Sequence, residues 1–401
     1  FDKQNILSHA TGRVSYSLTG TRGGVSNADI IFRSSEKWRP IGTDREMYNY
    51  ISSLANIELT YEKKHELNLG VDLGFLNNRI NFTGDIYWRN NYDLVGPVFT
   101  SGIGGFINKR ANTATMKTNG VDLQLSVTNI KGKNFTWTTD YIFSHNKTKI
   151  TKLETGRSVS ELTRGVSAPM VGYPSRALFS IPFAGLNEEG IPTFYNADGE
   201  ISQFVDFQET INTGFLKYEG SMDPTLYGSF GNIFRYKDFR LNVFITYSFG
   251  NKVRLNPVFS RYYSDLTATP LEFNNRWMRP GDEKTPGVLP VVLSYRQVYN
   301  TTTTDAYDNV RYAYSAYNYS TERVADGGFI RVKEISLSYS VPKKFVKHIG
   351  LNSLSLKLQG TNLFLLYADK KLNGQDPEFV QSGGVSSPFA KQITATLSLG
   401  L

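Results

Sequence analysis

The sequence predicts an all-β fold, an antiparallel transmembrane β-barrel, on three observations. Segments of about ten residues alternate between apolar and polar side chains, they come in pairs joined by short turns, and the pairs are separated by long connections. The last segment, 391–401, has the sequence KQITATLSLGL and places its apolar and its small polar residues on opposite faces. About ten residues is also the length of a tilted strand that crosses a bilayer.

Four of the predicted units are hairpins. Their strands are 66–75 with 79–88, 121–128 with 135–143, 226–236 with 239–249, and 331–341 with 353–364. Two further strands, 13–19 and 391–401, complete a set of about ten. We expect the last strand to lie beside 353–364 and to place Leu401 at the rim that carries the short turns.

The connections alternate in length, as they do in transmembrane barrels, where short periplasmic turns face long extracellular loops. The short ones are 76–78, 129–134, 237–238 and 342–352, and the long ones are 20–65, 89–119, 144–225, 250–328 and 365–390. A large soluble β-sandwich or jelly roll would also alternate. Strand length, the asymmetry of the loops, and aromatic residues near strand ends (Trp88, Trp137 and Phe249) favour the barrel.

Composition narrows the classes of function. The chain has no Cys, which removes disulfides, thiolate catalysis and cysteine metal sites. Its net charge is +8, but the basic residues are scattered, so nucleic acid is not an expected partner. The four histidines are far apart and no nucleotide-binding or hydrolase motif is present. We therefore expect no metal, no cofactor and no enzymatic activity; NEEG (187–190) and NADGE (196–200) are better explained as Asx turns than as calcium loops.

The inward faces of the predicted strands carry charges of both signs. A wide lumen lined in this way must be filled with water or with other polar protein. The lumen-facing candidates are Asp72, Asp85, Asp122, Asp140 and Arg240. These carboxylates either are solvated wall residues or pair with arginines of a domain that fills the lumen.

The long connection 250–328 is the second candidate site, because it interleaves Tyr with Arg and contains Trp277. Tyr, Trp and Arg dominate the energetics of binding interfaces. The predicted partner-binding or ligand-binding residues are Trp277, Tyr262, Tyr263, Arg276, Arg279, Tyr312, Tyr314 and Tyr317. The alternative is that these side chains pack the loops against one another.

Several segments together resemble the SusC/RagA-like TonB-dependent transporters of Gram-negative outer membranes. They are 59–95 (LTYEKKHELNLGVDLGF…YDLV), 118–127 (TNGVDLQLSV), 275–290 (NRWMRPGDEKTPGVLP), 327–364 (GGFIRVKEISLSYSVP…GTNLF) and 376–378 (DPE). Each motif is weak alone, whereas the combination is specific and covers most of the chain.

The resemblance implies a 22-stranded barrel with an N-terminal plug in its lumen. It also implies a SusD-like surface lipoprotein that covers the extracellular loops, and energy supplied by the TonB complex through an N-terminal box. Residues 1–401 would be the C-terminal part of the barrel domain, with about ten strands, and the plug and TonB box would lie outside them. The opening FDKQNILSHA contains neither Met nor an apolar signal segment, so we expect either that a signal was removed or that this is a piece of a longer protein. The absence of the family's first barrel strand favours the piece.

On this resemblance we expect import of a nutrient oligomer across the bacterial outer membrane. The expected partners are the SusD-like lipoprotein, the TonB complex, the remaining barrel and plug, outer-membrane lipid, and an oligosaccharide or oligopeptide ligand. The alternatives are a non-transporting structural or binding barrel and a passive porin. The sequence distinguishes neither glycan from peptide nor one oligomeric state from another. We further expect a separate segment of the protein, rather than strand 13–19, to pair with the free edge of the last strand.

Overall fold

The computed structural model describes most of the chain. The described ranges are 6–22, 29–38, 44–53, 59–99, 108–154, 156–165, 169–259, 271–292, 313–348, 350–380, 388 and 390–400. Leu401, which was expected at the short-turn rim, lies outside them.

The described residues are mostly in β-strands. In chain order the strands are β1 (Leu7–Thr21), β2 (Ile31–Trp38), β3 (Arg45–Ser53), β4 (Glu62–Phe75), β5 (Ile80–Phe99), β6 (Asn108–Lys131), β7 (Phe135–Leu153), β8 (Ala177–Ser180), β9 (Phe183–Leu186), β10 (Pro192–Tyr195), β11 (Ile201–Ser202), β12 (Lys217–Ser221), β13 (Leu226–Tyr236), β14 (Phe239–Phe249), β15 (Lys252–Arg254), β16 (Val324–Asp326), β17 (Phe329–Ser340), β18 (Ser353–Ala368) and β19 (Gln392–Gly400).

The helices are short. They are α1 (Val159–Arg164), α2 (313–318) and α3 (Lys343–His348), with 3₁₀ turns at Thr213–Phe215, Leu271–Asn275, Asp282–Lys284, Thr321–Arg323 and Lys370–Leu372. No helix in the described part of the chain is long and apolar enough to cross a membrane.

Ten strands form one antiparallel sheet, which confirms the predicted fold class. Their order is β1-β4-β5-β6-β7-β13-β14-β17-β18-β19. All four predicted hairpins are present as β4–β5, β6–β7, β13–β14 and β17–β18, and β19 lies beside β18 as expected. Among the described residues β1 pairs only with β4 and β19 only with β18 in this sheet. The two edge strands therefore do not pair with each other.

The hairpin β4–β5 shows why these residues form a membrane-facing wall. Leu76, Asn77 and Asn78 all have positive φ, a conformation that Asn tolerates, and this tight turn sets the register. Apolar side chains then fall on one face, including Trp88, which is 40% exposed. No protein covers this face in the described residues, and it is apolar over the nine residues 80–88 of β5, the length a tilted strand needs to cross a bilayer.

The structure corrects the prediction that 89–119 is a long loop. Strands β5 and β6 continue through most of it, and β6 alone is 24 residues long. The segment RANTATMKTN (110–119) lacks an apolar face, so the alternation that marks a membrane-crossing strand is missing while the backbone pairing persists. The predicted loop 20–65 likewise contains the hairpin β2–β3.

The long connections 144–225 and 250–328 fold together instead of remaining irregular. They contribute the small sheets β8–β12, β9–β10–β11 and β15–β16 and the largest buried apolar cluster, which we call the loop core. The buried members of the loop core are Val159, Leu162, Ala177, Phe179, Ile181, Ile191, Phe194, Val205, Phe207, Leu216, Val258, Phe259, Phe273, Leu289, Ala313, Ala316 and Tyr317. This core was not predicted, because its elements are too short to show a period.

Candidate functional site

The polar face of the ten-stranded sheet brings two of the predicted carboxylates together. Arg13 of β1 lies between them, with its guanidinium 2.5 Å from Asp72 Oδ2 and 3.1 Å from Asp85 Oδ2. Gly70, the register partner of both Arg13 and Asp85, leaves the space for this contact. A Cβ at position 70 would lie 2.5 Å from Asp85 Oδ1 and 2.9 Å from Arg13 Nε.

The arginine that pairs with Asp72 and Asp85 therefore comes from the neighbouring wall strand. Arginines of a domain that fills the lumen were one of the two expected environments of these carboxylates, and Arg13 was not predicted. The Arg13 side chain is 44% exposed, so each pair contributes at most about 1 kcal/mol to stability. Their main effect is to neutralise part of the polar face.

The other predicted lumen residues lie on the same face without forming one cluster. Asp140 accepts a hydrogen bond of 2.6 Å from Ser126 Oγ. Asp122 is the register partner of Asp85, and Arg240 is the register partner of Arg235. The face is thus a dispersed polar wall and not a single binding pocket.

A stronger charged contact on this face was missed. Arg89 donates two hydrogen bonds to Glu66, of 2.9 and 3.2 Å, and its guanidinium lies 4.6 Å from the centre of the Tyr87 ring. Glu66 and Arg89 are direct register partners across the β4–β5 turn. The hairpin register contained this signal, because opposite charges at partner positions predict a cross-strand pair.

Above the long-loop rim, the predicted interface residue Trp277 is half-buried in an internal contact. Its ring lies so close to Gly190 that a Cβ there would be 2.5 Å from Cδ2 of the indole. Its Nε1 donates a hydrogen bond of 3.1 Å to Glu283 Oε2. Hydrogen bonds from the backbone amide of Glu283 and from this indole lower the pKa of the Glu283 carboxyl.

Two of the predicted tyrosines belong to the loop core. Tyr317 is 3% exposed, and burial raises the pKa of its phenol. Tyr314 is partly buried and donates a hydrogen bond of 2.6 Å to the Val291 carbonyl. In this arrangement their aromatic rings support the loops, as the alternative interpretation expected.

The predicted arginines remain accessible. Arg276 donates to the Phe273 carbonyl at 2.9 Å and is otherwise exposed, and the Arg279 side chain is 85% exposed. Three further predicted residues, Tyr262, Tyr263 and Tyr312, lie outside the described residues. The accessible part of this candidate site is therefore the turn that follows Trp277.

A buried arginine, Arg254, connects the sheet to the loop core and was not predicted. It is the last residue of β15 and donates hydrogen bonds to the carbonyls of Phe179 and Ser320 and to Ser180 Oγ. Burial lowers the pKa of Arg254 to about 10, although the charge of Glu219 partly opposes this effect. Because its partners lie far away in sequence, no local pattern could have identified it.

A second buried ion pair involves the DPE segment. Arg331 of β17 lies 2.5 Å from Asp376 and 3.0 Å from Glu378, and the Arg331 and Asp376 side chains are 8% and 11% exposed. The segment that follows β18 is thereby attached to the polar face.

The structure shows Asx turns at the two segments that resemble calcium loops. Asn187 Oδ1 accepts from the amides of Glu189 and Ile191, and Asn196 Oδ1 accepts from those of Asp198 and Glu200. Across the described ranges, no group of three or more potential ligand side chains is arranged to hold a metal ion.

Comparison with known proteins gives consistent relatives, although no protein-family profile matches the chain. The TonB-dependent receptor P3 of Formosa agariphila is 26% identical over 392 residues, which are 93% of this chain and 36% of that protein. The TonB-dependent receptor SusC of Bacteroides thetaiotaomicron is 26% identical over 364 residues, 86% of this chain and 32% of SusC. The chain thus spans about a third of the length of the curated relatives it matches.

Solved structures show the same fold. The RagAB peptide transporter superposes with a TM-score of 0.76 at 23% identity, covering 99% of this chain and 41% of the other. The same importer in its open-open state gives 0.74 at 23% identity, covering 100% and 41%.

The sheet with one apolar and one polar face, together with these relatives, defines part of an outer-membrane β-barrel. More particularly, its sequence is similar to TonB-dependent receptors, SusC among them, as its motifs suggested.

Proposed function

We propose that this chain is the C-terminal part of the barrel domain of a TonB-dependent transporter, which imports a nutrient oligomer, either a glycan or a peptide. The single observation that supports this most is the pairing of a polar lumen wall with a folded loop core at one rim. A wide polar lumen needs a gate, and a folded rim provides a surface for one.

The loop core is the proposed contact surface for a SusD-like lipoprotein. Its outer surface exposes Ile211, Leu271 and Met278 at 87%, 83% and 67%. Exposed apolar side chains next to an arginine such as Arg279 have the composition of the centre of an interface. This proposal keeps the turn after Trp277 as a binding element and assigns Trp277 itself a supporting role.

The substrate class stays open between the two candidates. The structurally similar RagAB is a peptide transporter, which supports including peptides. The polar face offers ion pairs and amides that suit either class, since both carry hydrogen-bond donors and acceptors.

Uptake by cells that express the complete protein tests the transport proposal. We expect accumulation of labelled oligopeptides or of labelled oligosaccharides that disappears when TonB is deleted or the proton gradient is collapsed. Accumulation that persists without TonB would indicate a passive pore. Failure to accumulate either class would contradict transport.

Capture of the lipoprotein tests the contact surface separately. Replacing Ile211 and Met278 together by Asp should weaken co-purification of the lipoprotein with the complete protein. The matched control is Phe345→Asp, which changes an apolar residue 65% exposed on α3 at the short-turn rim. Equal capture by both variants would argue against this surface.

A further inference from the structure

Three lysines form an uncompensated basic patch on the outward face of the sheet. Lys117 of β6 and Lys149 of β7 are direct register partners, and Lys147 is the next residue of β7 on the same face. All three are exposed. Within the described part of the chain, no carboxylate lies within ion-pair distance of any of them.

Two other lysines of the sheet, Lys63 on β4 and Lys152 on β7, behave differently. Lys63 lies 2.8 Å from Asp93, and Lys152 lies 2.6 Å from Glu154. These two lysines are neutralised by a carboxylate, whereas the patch keeps its charge. Like charges directly opposite each other on neighbouring strands, with Cβ atoms about 5 Å apart, are destabilising unless an anion lies between them.

The patch lies directly beyond the apolar band. Along β6 the outward residues are Val121, Asn119 and then Lys117, and along β7 they are Phe143, His145 and then Lys147. Lys117 and Lys147 are each four residues past the last apolar one, which for a tilted strand is a height of about 9 Å, and Lys149 lies two residues further along β7. Lysine side chains bend toward the membrane surface, so their ammonium groups reach the headgroup layer.

A cavity of about 500 Å³ adjoins Lys147 and Lys149. It lies between the upper part of β7 and the segments 172–175 and 218–225. Its carboxylate, Asp223, is already paired with Arg176. The cavity has the size of small-molecule sites and lies beside cations that lack a protein partner.

We propose that Lys117, Lys147 and Lys149 bind the phosphate groups of a lipid in the leaflet that faces the long loops. The acyl chains of that lipid lie along the apolar face below Val121 and Phe143, and part of its headgroup occupies the adjoining cavity. Charge complementarity supplies the headgroup contact, and continuity with the apolar band selects a lipid over a soluble phosphate.

Native mass spectrometry of the complete detergent-purified protein with bis-phosphorylated lipid A measures this binding. Replacing all three lysines by Gln should weaken binding on the order of a hundredfold, since each cation near an anionic surface contributes about fivefold. Replacing all three by Arg should preserve it, because the charge remains. The matched control is Lys131→Gln with Lys133→Gln and Lys344→Gln, which removes the same charge at the short-turn rim and should leave binding unchanged.

Three results would overturn the proposal. They are unchanged lipid binding by the folded triple Gln variant, equal binding of dephosphorylated lipid A, and displacement of the lipid by inorganic phosphate at equal concentration. If the triple variant fails to fold, as judged by its heat-dependent mobility on gels, Lys117→Gln and Lys149→Gln are measured singly. Each should then lose about fivefold, and no loss in either would contradict the site.

Discussion

The wall and the loop core of this molecule differ in where their apolar side chains go. In the wall, Leu67, Ile86 and Leu69 are between 38% and 47% exposed on the outward face. In the loop core, Phe194 and Ile181 have no exposed surface. The wall thus leaves its apolar face for lipid, whereas the loop core buries its apolar residues within the protein, as a soluble domain does.

The two regions consequently depend on different interactions. Every backbone group of a wall strand within the membrane must be paired with a neighbouring strand, so ladder register and the depth of each side chain matter most. In the loop core, packing and buried polar contacts carry the stability. Two buried arginines of the structure combine both demands: Arg254 links the wall to the loop core, and Arg331 of the wall holds the segment that follows β18.

The largest expected effect is at the buried ion pair of Arg331 with Asp376. Arg331→Met removes the cation but leaves Asp376 buried at 11% exposure, which should lower the free energy of unfolding by about 3–5 kcal/mol. Thermal unfolding of the complete protein in detergent, followed by circular dichroism, measures the change. Adding Asp376→Leu should recover much of the loss, because an apolar pair replaces the ion pair. If the Arg331→Met variant is as stable as the parent, the ion pair contributes little to stability.

The next effect separates the two faces of the wall. Leu125 and Gln124 are neighbours on β6, but Leu125 lies on the outward face near mid-depth and Gln124 is exposed on the polar face. Leu125→Arg should cost about 2–4 kcal/mol, whereas Gln124→Arg should cost close to nothing. Urea titration in lipid vesicles gives both values. Equal costs would mean that the outward face is not lipid-exposed.

The sequence predicted the wall well because a strand with one lipid face has a period of two over enough residues to be recognised. The symmetric hairpins around 76–78 and 237–238 even determined partner residues, so Glu66 and Arg89 could have been paired from the sequence. Arg331 with Asp376 could not, because these residues are joined by no local register. The loop core was missed for a related reason, since its strands of two to five residues contain no complete period.

At Trp277 the sequence pattern pointed to a residue that matters but did not distinguish a partner-binding role from internal packing. Aromatic and arginine content marks interfaces and internal loop packing alike. Only the contact with Gly190 separates the two roles, and that contact joins positions 87 residues apart (277 − 190).

A moderate effect tests packing in the loop core. Gly190 has φ +76° and contacts the Trp277 ring, whereas Gly199 has φ +80° and open space around it. Gly199→Ala should cost about 1 kcal/mol from backbone strain alone. Gly190→Ala should cost roughly 1–3 kcal/mol more, because the indole must also move. Differential scanning calorimetry of the two variants measures the difference, and equal costs would show that Trp277 is loosely held.

The smallest expected effect is electrostatic and depends on pH. Asp369 follows β18 and accepts hydrogen bonds from the backbone amides of Lys371 at 2.9 Å and Asp326 at 2.7 Å. Burial raises the pKa of the Asp369 carboxyl, but these two hydrogen bonds together outweigh it and lower the pKa below its ordinary value of 3.8. Because the folded pKa is depressed, the carboxylate contributes stability that is present above pH 3.8 and is lost as the pH falls through the folded value.

Asp369→Asn keeps an acceptor but removes the charge. Asp369 is only partly buried and solvent screens it, so the cost at neutral pH should be on the order of a few tenths of a kcal/mol. Melting curves of parent and variant should differ at pH 7 and converge in strong acid. Asp198→Asn, at an exposed position of another long connection, controls for net charge and should give no such convergence. If the difference in melting temperature between parent and variant grows as the pH falls, the pKa shift has the opposite sign. Burial, rather than hydrogen bonding, then dominates the pKa of Asp369.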